Sequence, residues 1–195
     1  MNMRKHFFAL TLTSCLLAGP ALLAQTPVTP VAPVVPKPKP ERKGTKWDSM
    51  DLGPCFSGYM DAPTKVNKSV SIDLGGATVC FDTEMLKVAD AWTDGFVQLA
   101  TGRDGLEGMP KPGGADIVFT GPVGAGWADA DGNFSDLRPV FKNKPYGPLP
   151  REHAKWRGLY LNGEETILSY TVGKVGVLEM HSFHLTDKIF MRRLE

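Results

Sequence analysis

The chain has 195 residues and a formal net charge of +1, with 22 basic and 21 acidic side chains. This length fits one domain with short additional segments. The balanced charge excludes the strongly basic footprint of a nucleic-acid-binding protein, so no nucleic-acid partner is predicted. The 21 glycines and 16 prolines exceed average usage, which indicates a turn-rich fold, a linker or both.

Residues 1–24 have the features of a secretory signal peptide. A basic start and an apolar run lead to a small residue at Ala24, which predicts cleavage there and export to the periplasm or the outside of the cell. The stretch "LTSC", ending at Cys15, leaves an alternative: acylation of Cys15 and a membrane-anchored lipoprotein. Ordinary cleavage is favoured because the apolar run continues after Cys15. No transmembrane span is predicted in the mature chain.

Residues 25–46 form a proline-rich segment, "TPVTPVAPVVPKPKP" and its continuation. Closely spaced prolines favour extended polyproline II, which makes a semi-rigid spacer without a core of its own. The segment is interpreted as a tether, with a ligand for a proline-binding domain and a plain disordered leader as the alternatives.

Residues 47–195 are predicted to form a single β-rich domain. Period-two patterns predict strands in "SVSIDLG" from Ser69 and "ATVCFDT" from Ala77, and shorter strands in "GFVQLATG" and "ADIVFTG". Glycine, proline and aspartate dominate residues 102–150, which predicts long loops there. The expected fold is an antiparallel β-sandwich with long Gly/Pro-rich loops and at most one short helix.

The segment "DTEMLKVADAW", Asp82 to Trp92, departs from the period-two pattern. A cap at Asp82 or Thr83 would allow a short helix that buries Met85 and Trp92. A short helix or turn is favoured, and a turn followed by a strand is the alternative.

The C-terminal third predicts an antiparallel meander of three or four strands. Asn162-Gly163 is a strong hairpin signal, because a type I′ turn needs two residues that accept positive φ. The following strand should carry Leu168, Tyr170 and Val172 on one face, and Gly173-Lys174 offers a second tight turn.

Several separate stretches together resemble an uncharacterised bacterial domain of unknown function: "WDSMDLGPCFSG", "FDTEMLKVADAWTDGF", "GPLP", "GLYLNGEETILSYTVGKVGVLE" and "FMRRLE". That domain usually follows the signal peptide of large secreted multidomain proteins with c-type cytochrome or sugar-dehydrogenase-like modules. The resemblance implies an exported module that works beside other modules, and it implies no catalytic residues. This sequence has no C-x-x-C-H haem-attachment motif, so no haem chemistry is predicted for it.

Cys55 and Cys80 are the cysteines that remain after signal removal. An even count in an oxidising compartment predicts one disulfide between them. Independent thiols are the alternative, and the spacing fits neither a C-x-x-C redox pair nor a zinc site.

Two groups of polar residues are candidate metal ligands. In "LEMHSFH" the strand period places Glu179 and His181 on one side and His184 on the other, so surface histidines are favoured over a metal site, as for His153. The stretch "WADADGNFSD" is rich in oxygen ligands, and its candidates for a calcium site are Asp129, Asp131, Asn133 and Asp136. The spacing fails the EF-hand pattern, which favours an Asx-type turn.

The remaining side chains give no catalytic constellation. Glu164 and Glu165 lie beside a turn, where solvent exposure is expected. A stacking surface for a sugar could come from the aromatic residues Trp47, Trp92, Trp127, Trp156, Tyr146 and Tyr160, although core packing is favoured for most of them.

The leading hypothesis is an exported, non-catalytic β-sandwich module that binds a partner protein or a glycan at the cell envelope, without a cofactor. The alternative is an accessory or catalytic domain of carbohydrate or redox metabolism with a site in the 102–150 loops. A pocket that joins carboxylates or histidines of perturbed pKa would favour the enzyme. A flat exposed aromatic strip would favour binding.

Overall fold

Two antiparallel sheets are the main elements of the described part of the chain in this computed structural model. The structure describes residues 50–100, 108–114 and 116–195, and these belong to the unit Arg42–Glu195. The predicted signal peptide with Cys15, the proline-rich linker and Trp47 lie outside the described residues.

The first sheet has five strands, and four of them follow one another in sequence. The strands are β1 (Cys55–Asp61), β2 (Lys65–Asp73), β3 (Ala77–Asp82), β4 (Lys87–Thr93) and β7 (Asp116–Thr120). They are hydrogen-bonded in the order β1-β2-β3-β4-β7. The strands predicted from Ser69, from Ala77 and in "ADIVFTG" are confirmed as parts of β2, β3 and β7.

The second sheet is the predicted C-terminal meander, and it has four strands. These are β10 (Ala154–Asn162), β11 (Glu165–Val172), β12 (Val175–His184) and β13 (Ile189–Leu194). Asn162 pairs with Glu165 across one turn, and Val172 pairs with Val175 across the next. The predicted Gly173-Lys174 turn is therefore confirmed. The turn predicted at Asn162-Gly163 is displaced by one residue, because Gly163 and Glu164 are its turn residues and Asn162 ends β10. Of Asn162 and Gly163, only Gly163 has a positive φ (60°), so this is not the predicted type I′ turn.

Two short hairpins complete the fold. One joins β5 (Val97–Gln98) to β6 (Lys111–Pro112), and the other joins β8 (Val140–Phe141) to β9 (Lys144–Pro145). The strand predicted in "GFVQLATG" is thus reduced to the two residues of β5 among those described.

The segment Asp82 to Trp92 contains no helix, so the short helix is wrong, and the alternative of a turn followed by a strand is confirmed. Residues 83–86 form a turn, and β4 begins at Lys87. Asp82 does act as a cap, because its Oδ1 accepts hydrogen bonds from the backbone N–H groups of Glu84 (2.8 Å) and Met85 (3.1 Å). Leu86 has φ +51°, which ends helical geometry after one turn. Among the described residues no helix has the length and hydropathy to cross a membrane.

The main core lies between the two sheets. Val70, Ile72 and Phe81 of the first sheet share one buried cluster with Leu168 and Tyr170 of the second. The Phe81 ring lies 6.0 Å from the Tyr170 ring, centroid to centroid. The predicted all-β, antiparallel sandwich is therefore confirmed, with an interior built by alternate residues of each strand.

A second apolar cluster covers the opposite face of the first sheet. It contains Met60, Val66, Cys80 and Trp92. The Trp92 indole N–H donates to the carbonyls of Gly95 and Phe96, which holds the segment after β4 against this face.

Candidate binding cleft and its polar floor

A group of polar side chains lies at one end of the sandwich interior, on β11, β12 and β13. Glu179 has no solvent exposure. His181 follows it on the same face of β12, as the strand period predicts. The register places Arg192 of β13 directly opposite His181. Tyr170 on β11 pairs with Val177 on β12, which brings the Tyr170 hydroxyl diagonally to Glu179.

The Glu179 carboxylate is bound by three neighbours. Arg192 donates from Nε to Oε1 at 2.6 Å and from Nη2 to Oε2 at 2.9 Å, a bidentate pair. The Tyr170 hydroxyl donates a short hydrogen bond to Oε2. The Arg192 guanidinium carbon also lies 5.6 Å from the centre of the Trp127 ring. Both oxygens of the carboxylate are thereby committed to protein donors.

His181 approaches the same carboxylate, with Nε2 at 2.8 Å from Oε1 of Glu179. The orientation does not meet hydrogen-bond geometry, and Nε2 has no hydrogen-bond partner among the described residues. The contact is therefore an electrostatic one, and it leaves the imidazole with unused hydrogen-bonding capacity.

The pKa values in this group follow from burial and from these contacts. Burial alone would raise the pKa of Glu179, but the contacts with His181, Arg192 and Tyr170 outweigh it and lower the pKa from 4.5 to about 2. Burial and the hydrogen bond to Glu179 raise the pKa of Tyr170. The site therefore holds a permanent, internally paired carboxylate rather than a proton donor or acceptor poised near neutral pH.

A cleft of about 540 Å³ opens beside this group, between the two sheets. Its apolar walls are Val79, Val88, Ala91 and Phe119 from the first sheet and Phe190 and Met191 from the second. Asp94 and Asp116 line the first-sheet side, and Lys188, Arg192 and His181 line the second-sheet side. The volume and the mainly apolar lining are typical of a site that binds a ligand.

The cleft is flanked by two edge strands, β7 and β13. All five residues of β7 are exposed, and the apolar ones, Ile117 to Phe119, are 37% to 51% exposed. Within the described residues, β7 pairs on one side only, with β4. Its sequence, DIVFT, contains no lysine or proline, which commonly prevent unwanted pairing at sheet edges. The cleft thus borders an unprotected edge.

The acidic loop after Trp127 is organised by its own backbone. Oδ1 of Asp129 accepts hydrogen bonds from the backbone N–H groups of Asp131 (3.0 Å) and Asn133 (2.8 Å). Asp136 forms a bidentate pair with Arg138. The pKa of Asp129 is lowered mainly by the hydrogen bond from the Asn133 backbone. The pKa of Asp136 is lowered mainly by the hydrogen bonds from the Arg138 side chain.

No group of three or more His, Cys, Asp or Glu side chains in the described part of the chain is arranged to hold a metal ion. His184 ends β12, and its Nδ1 lies 2.9 Å from Oδ2 of Asp187 in the turn that follows; both side chains are exposed. His153 donates and accepts at its backbone in the turn before β10, away from Glu179.

Cys55 and Cys80 are both free in the structure, so the predicted disulfide is not present in it. Cys55 pairs with Ile72 of β2, and Cys80 pairs with Ser71, the residue just before Ile72. Neighbouring residues of a strand point to opposite faces, so the two thiols do as well. Cys55 packs on the main core and Cys80 lies in the second cluster.

The aromatic residues considered for sugar stacking lie in different environments. Trp92 is fully buried, and Trp127 and Trp156 pack against the main core. Tyr146 and Tyr160 are exposed, on different parts of the fold. Glu164 and Glu165 are exposed beside the β10–β11 turn, as expected. The five of these residues that the structure describes do not form one strip.

Arg192, Tyr170 and the apolar walls of the cleft were not identified from the sequence as a site. The signal for Arg192 is the register of the last hairpin: the turn of residues 185–188 pairs His184 with Ile189 and His181 with Arg192. The cleft walls come from the neighbouring strands β3 and β4 together with β7 and β13, which are distant in sequence, and no local pattern joins all four.

Fold and cleft together define an all-β, two-sheet antiparallel protein with a ligand-sized opening between two sheet edges. A family model matches residues 79–179, just over half of the chain, and its description is Domain of unknown function (DUF6797). The chain belongs to this family. No curated protein and no solved structure matches it significantly.

Proposed function

We propose that this chain is an exported, non-catalytic binding module that takes an extended segment of a partner protein in the cleft between β7 and β13. Export is supported by the signal-like features of residues 1–24. The single observation that carries the binding role is the apolar cleft bordered by the unprotected edge of β7.

A peptide is favoured over a glycan by the chemistry of the cleft. An extended peptide supplies backbone donors and acceptors for a free sheet edge and alternate side chains for apolar walls. Glycan sites rely on exposed aromatic faces combined with polar groups. Here the apolar walls, which are mainly aliphatic apart from Phe119 and Phe190, lie between acidic groups on one side and basic groups on the other, and this also suits the mixed charges of a polypeptide.

A binding role is also supported by the buried polar group beside the cleft, because its carboxylate is not free to act as an acid or base. Glu179 is fully buried, and its oxygens are bound by Arg192 and Tyr170. A general acid or base must reach the substrate with a pKa near the working pH. The enzyme alternative, with its site in the 102–150 loops, has less support because Asp129 and Asp136 are engaged in local hydrogen bonds.

The test uses a library of random 12-residue peptides displayed on phage, selected against the purified protein. Val118→Lys places a charge at the exposed edge beside the cleft. Leu161→Lys is the matched control, since Leu161 has a similar exposure (54%, against 51% for Val118) and lies on β10, the edge strand at the far side of the other sheet.

We expect selected peptides with alternating apolar residues that bind Val118→Lys at least tenfold more weakly and Leu161→Lys unchanged, measured by calorimetry on synthetic peptides. In hydrogen exchange, such a peptide should protect amides of residues 116–120. Failure to enrich any peptide, or equal binding by both variants, would contradict the proposal. A glycan-array ligand that is lost with Val118→Lys would replace the peptide as the occupant.

A further inference from the structure

The β8–β9 hairpin carries a second surface, separate from the cleft. Its two turn residues, Lys142 and Asn143, have φ values of 48° and 62°, which is the geometry of a type I′ turn. Residues 139–146 are all exposed, and we name them the aromatic hairpin.

The aromatic hairpin presents three large apolar side chains to solvent. Val140 is 70% exposed, and Phe141 and Tyr146 are each 61% exposed. None of them belongs to either buried cluster. Single exposed apolar residues are common, but a group on one projecting hairpin indicates an interaction surface.

The same hairpin has a local positive charge. It contains Lys142 and Lys144 and no acidic residue. Neither lysine forms an ion pair with any residue that the structure describes. The Lys142 ammonium lies 5.4 Å from the centre of the Phe141 ring. Although the whole chain is nearly neutral, this tip combines aromatic surface with unpaired cations.

We propose that the aromatic hairpin docks on an anionic lipid bilayer, with the rings of Phe141 and Tyr146 at the headgroup level and the two lysines at the anionic surface. Aromatic side chains with a polar end favour the membrane interface, and lysines extend apolar stems while their ammonium groups remain in water. Basic groups near an anionic leaflet add electrostatic attraction.

A lipid surface fits this hairpin better than a sugar ring does. The Phe141 and Tyr146 rings are 6.2 Å apart and inclined by 48°, so they do not form a flat stacking platform. Asn143 is the only side-chain amide on the aromatic hairpin, and the hairpin contains no carboxylate. Sugar recognition needs directional donors and acceptors beside the ring, whereas bilayer docking needs only apolar surface and positive charge.

The first test is vesicle flotation of the exported, processed protein. Vesicles of 30% phosphatidylglycerol in phosphatidylcholine are compared with pure phosphatidylcholine vesicles. The aromatic variant is Phe141→Ser with Tyr146→Ser, and the charge variant is Lys142→Gln with Lys144→Gln. The control variant is Lys174→Gln with Val175→Ser, because this β11–β12 turn also pairs a lysine with an exposed apolar residue.

We expect the bound fraction on anionic vesicles to fall at least fivefold in the aromatic variant. The charge variant should bind anionic and neutral vesicles equally and lose its salt dependence. The control variant should match the unmodified protein. Equal binding by all variants, or equal losses in the control and the aromatic variant, would overturn the proposal.

A second measurement reports on the hairpin itself, independently of the N-terminal segment. Brominated phosphatidylcholine in the anionic vesicles should quench the fluorescence added by Tyr146→Trp, and it should leave the fluorescence added by Val175→Trp unchanged. Absence of quenching at the hairpin would overturn the proposal. Loss of vesicle binding on addition of 10 mM inorganic phosphate would assign the lysines to a free anion, and a glycan that competes with the vesicles would assign the rings to a sugar.

Discussion

Glu179 keeps its negative charge in the protein interior because side chains of the protein itself donate hydrogen bonds to its carboxylate. Removing a carboxylate from water is costly, and the cost is offset only when each oxygen has well-placed donors. Arg192 supplies two of these donors and Tyr170 a third. The three side chains therefore act as a unit, and deletion of one leaves the others in an unfavourable environment.

Arg192→Ala is expected to lower the free energy of unfolding by about 2 to 3 kcal/mol, because it leaves the buried Glu179 charge without its main partner. The matched control is Arg193→Ala. Arg193 is the next residue, but it is exposed and pairs with the exposed Glu195, so a change within about 0.5 kcal/mol is expected. Urea denaturation followed by tryptophan fluorescence measures both, and equal effects would contradict the assigned role of Arg192.

The stability of the fold should depend on pH through Glu179. Its pKa is about 2 in the folded state and 4.5 ordinarily, so the unfolded state binds more protons between these values. Stability from this group is present above pH 4.5 and is lost as the pH falls towards 2. The shift corresponds to about 3 kcal/mol.

The measurement compares unfolding free energies of the unmodified protein and Glu179→Gln from pH 5.5 to pH 2. The difference between them should shrink by roughly that amount as the pH falls, since the other carboxyl groups are common to both proteins. A difference that stays constant over this range would show that Glu179 does not titrate as expected.

At the scale of elements, the β3–β4 turn is held by a distant loop. The backbone N–H of Gly126 donates to the carbonyl of Met85 at 2.8 Å. A Cβ atom at position 126 would lie 1.9 Å from the carbonyl oxygen of Leu86. The loop and the turn therefore approach each other closely enough to require glycine.

Gly126→Ala is expected to destabilise the fold by about 2 to 3 kcal/mol, because backbone atoms on both sides must move to accept the methyl group. Gly176→Ala serves as the control, since a Cβ there meets nothing within 4 Å and the φ is not positive. Its effect should stay within about 1 kcal/mol. Thermal unfolding of both variants checks this, and similar midpoints would argue against the close approach.

Elements whose specification is local were predictable from the sequence. Gly163 and Gly173 mark the two tight turns of the meander, although the first turn lies one residue later than predicted. The alternation of Leu168, Tyr170 and Val172 identifies the buried face of β11. The segment from Asp82 was not, because its cap and apolar spacing fit one turn of helix equally well. The left-handed Leu86 and the approach of Gly126 decide the outcome, and both depend on tertiary contacts.

The candidate site was only half predictable for the same reason. Glu179 and His181 share a strand, so their common face followed from the period of two. Arg192 joins them through the pairing of β12 with β13, and Phe119 joins the cleft through the pairing of β4 with β7. Strand pairing over a distance leaves little trace in a single sequence.

At the scale of the whole molecule, no covalent link joins Cys55 and Cys80, the two cysteines that the structure describes. We expect peptide mapping after denaturation and alkylation to find both Cys55 and Cys80 as free thiols. In the native protein Cys80 should not react with N-ethylmaleimide, because it is fully buried and burial raises its pKa to about 12. A reducing agent should leave the thermal midpoint unchanged.

A Cys55–Cys80 linked peptide in that map, or a midpoint that falls on reduction, would contradict the arrangement of the first sheet. The two thiols are expected on opposite faces of β1 and β3, with β2 between them. Such a bond would require a shift of strand register, which would also move the residues of the main core.

The order of strands also bears on how quickly the chain reaches its native state. In both sheets, strands pair with their neighbours in sequence, and only the β4–β7 pairing spans a longer stretch. Folding rates of small proteins rise as the contacts become more local. Each meander can form by successive hairpins between strands that are neighbours in sequence. In Greek-key sandwiches, folding is slowed by the pairing of strands that are far apart in sequence. Here the steps of that kind are the docking of the two sheets and the addition of the edge strand β7.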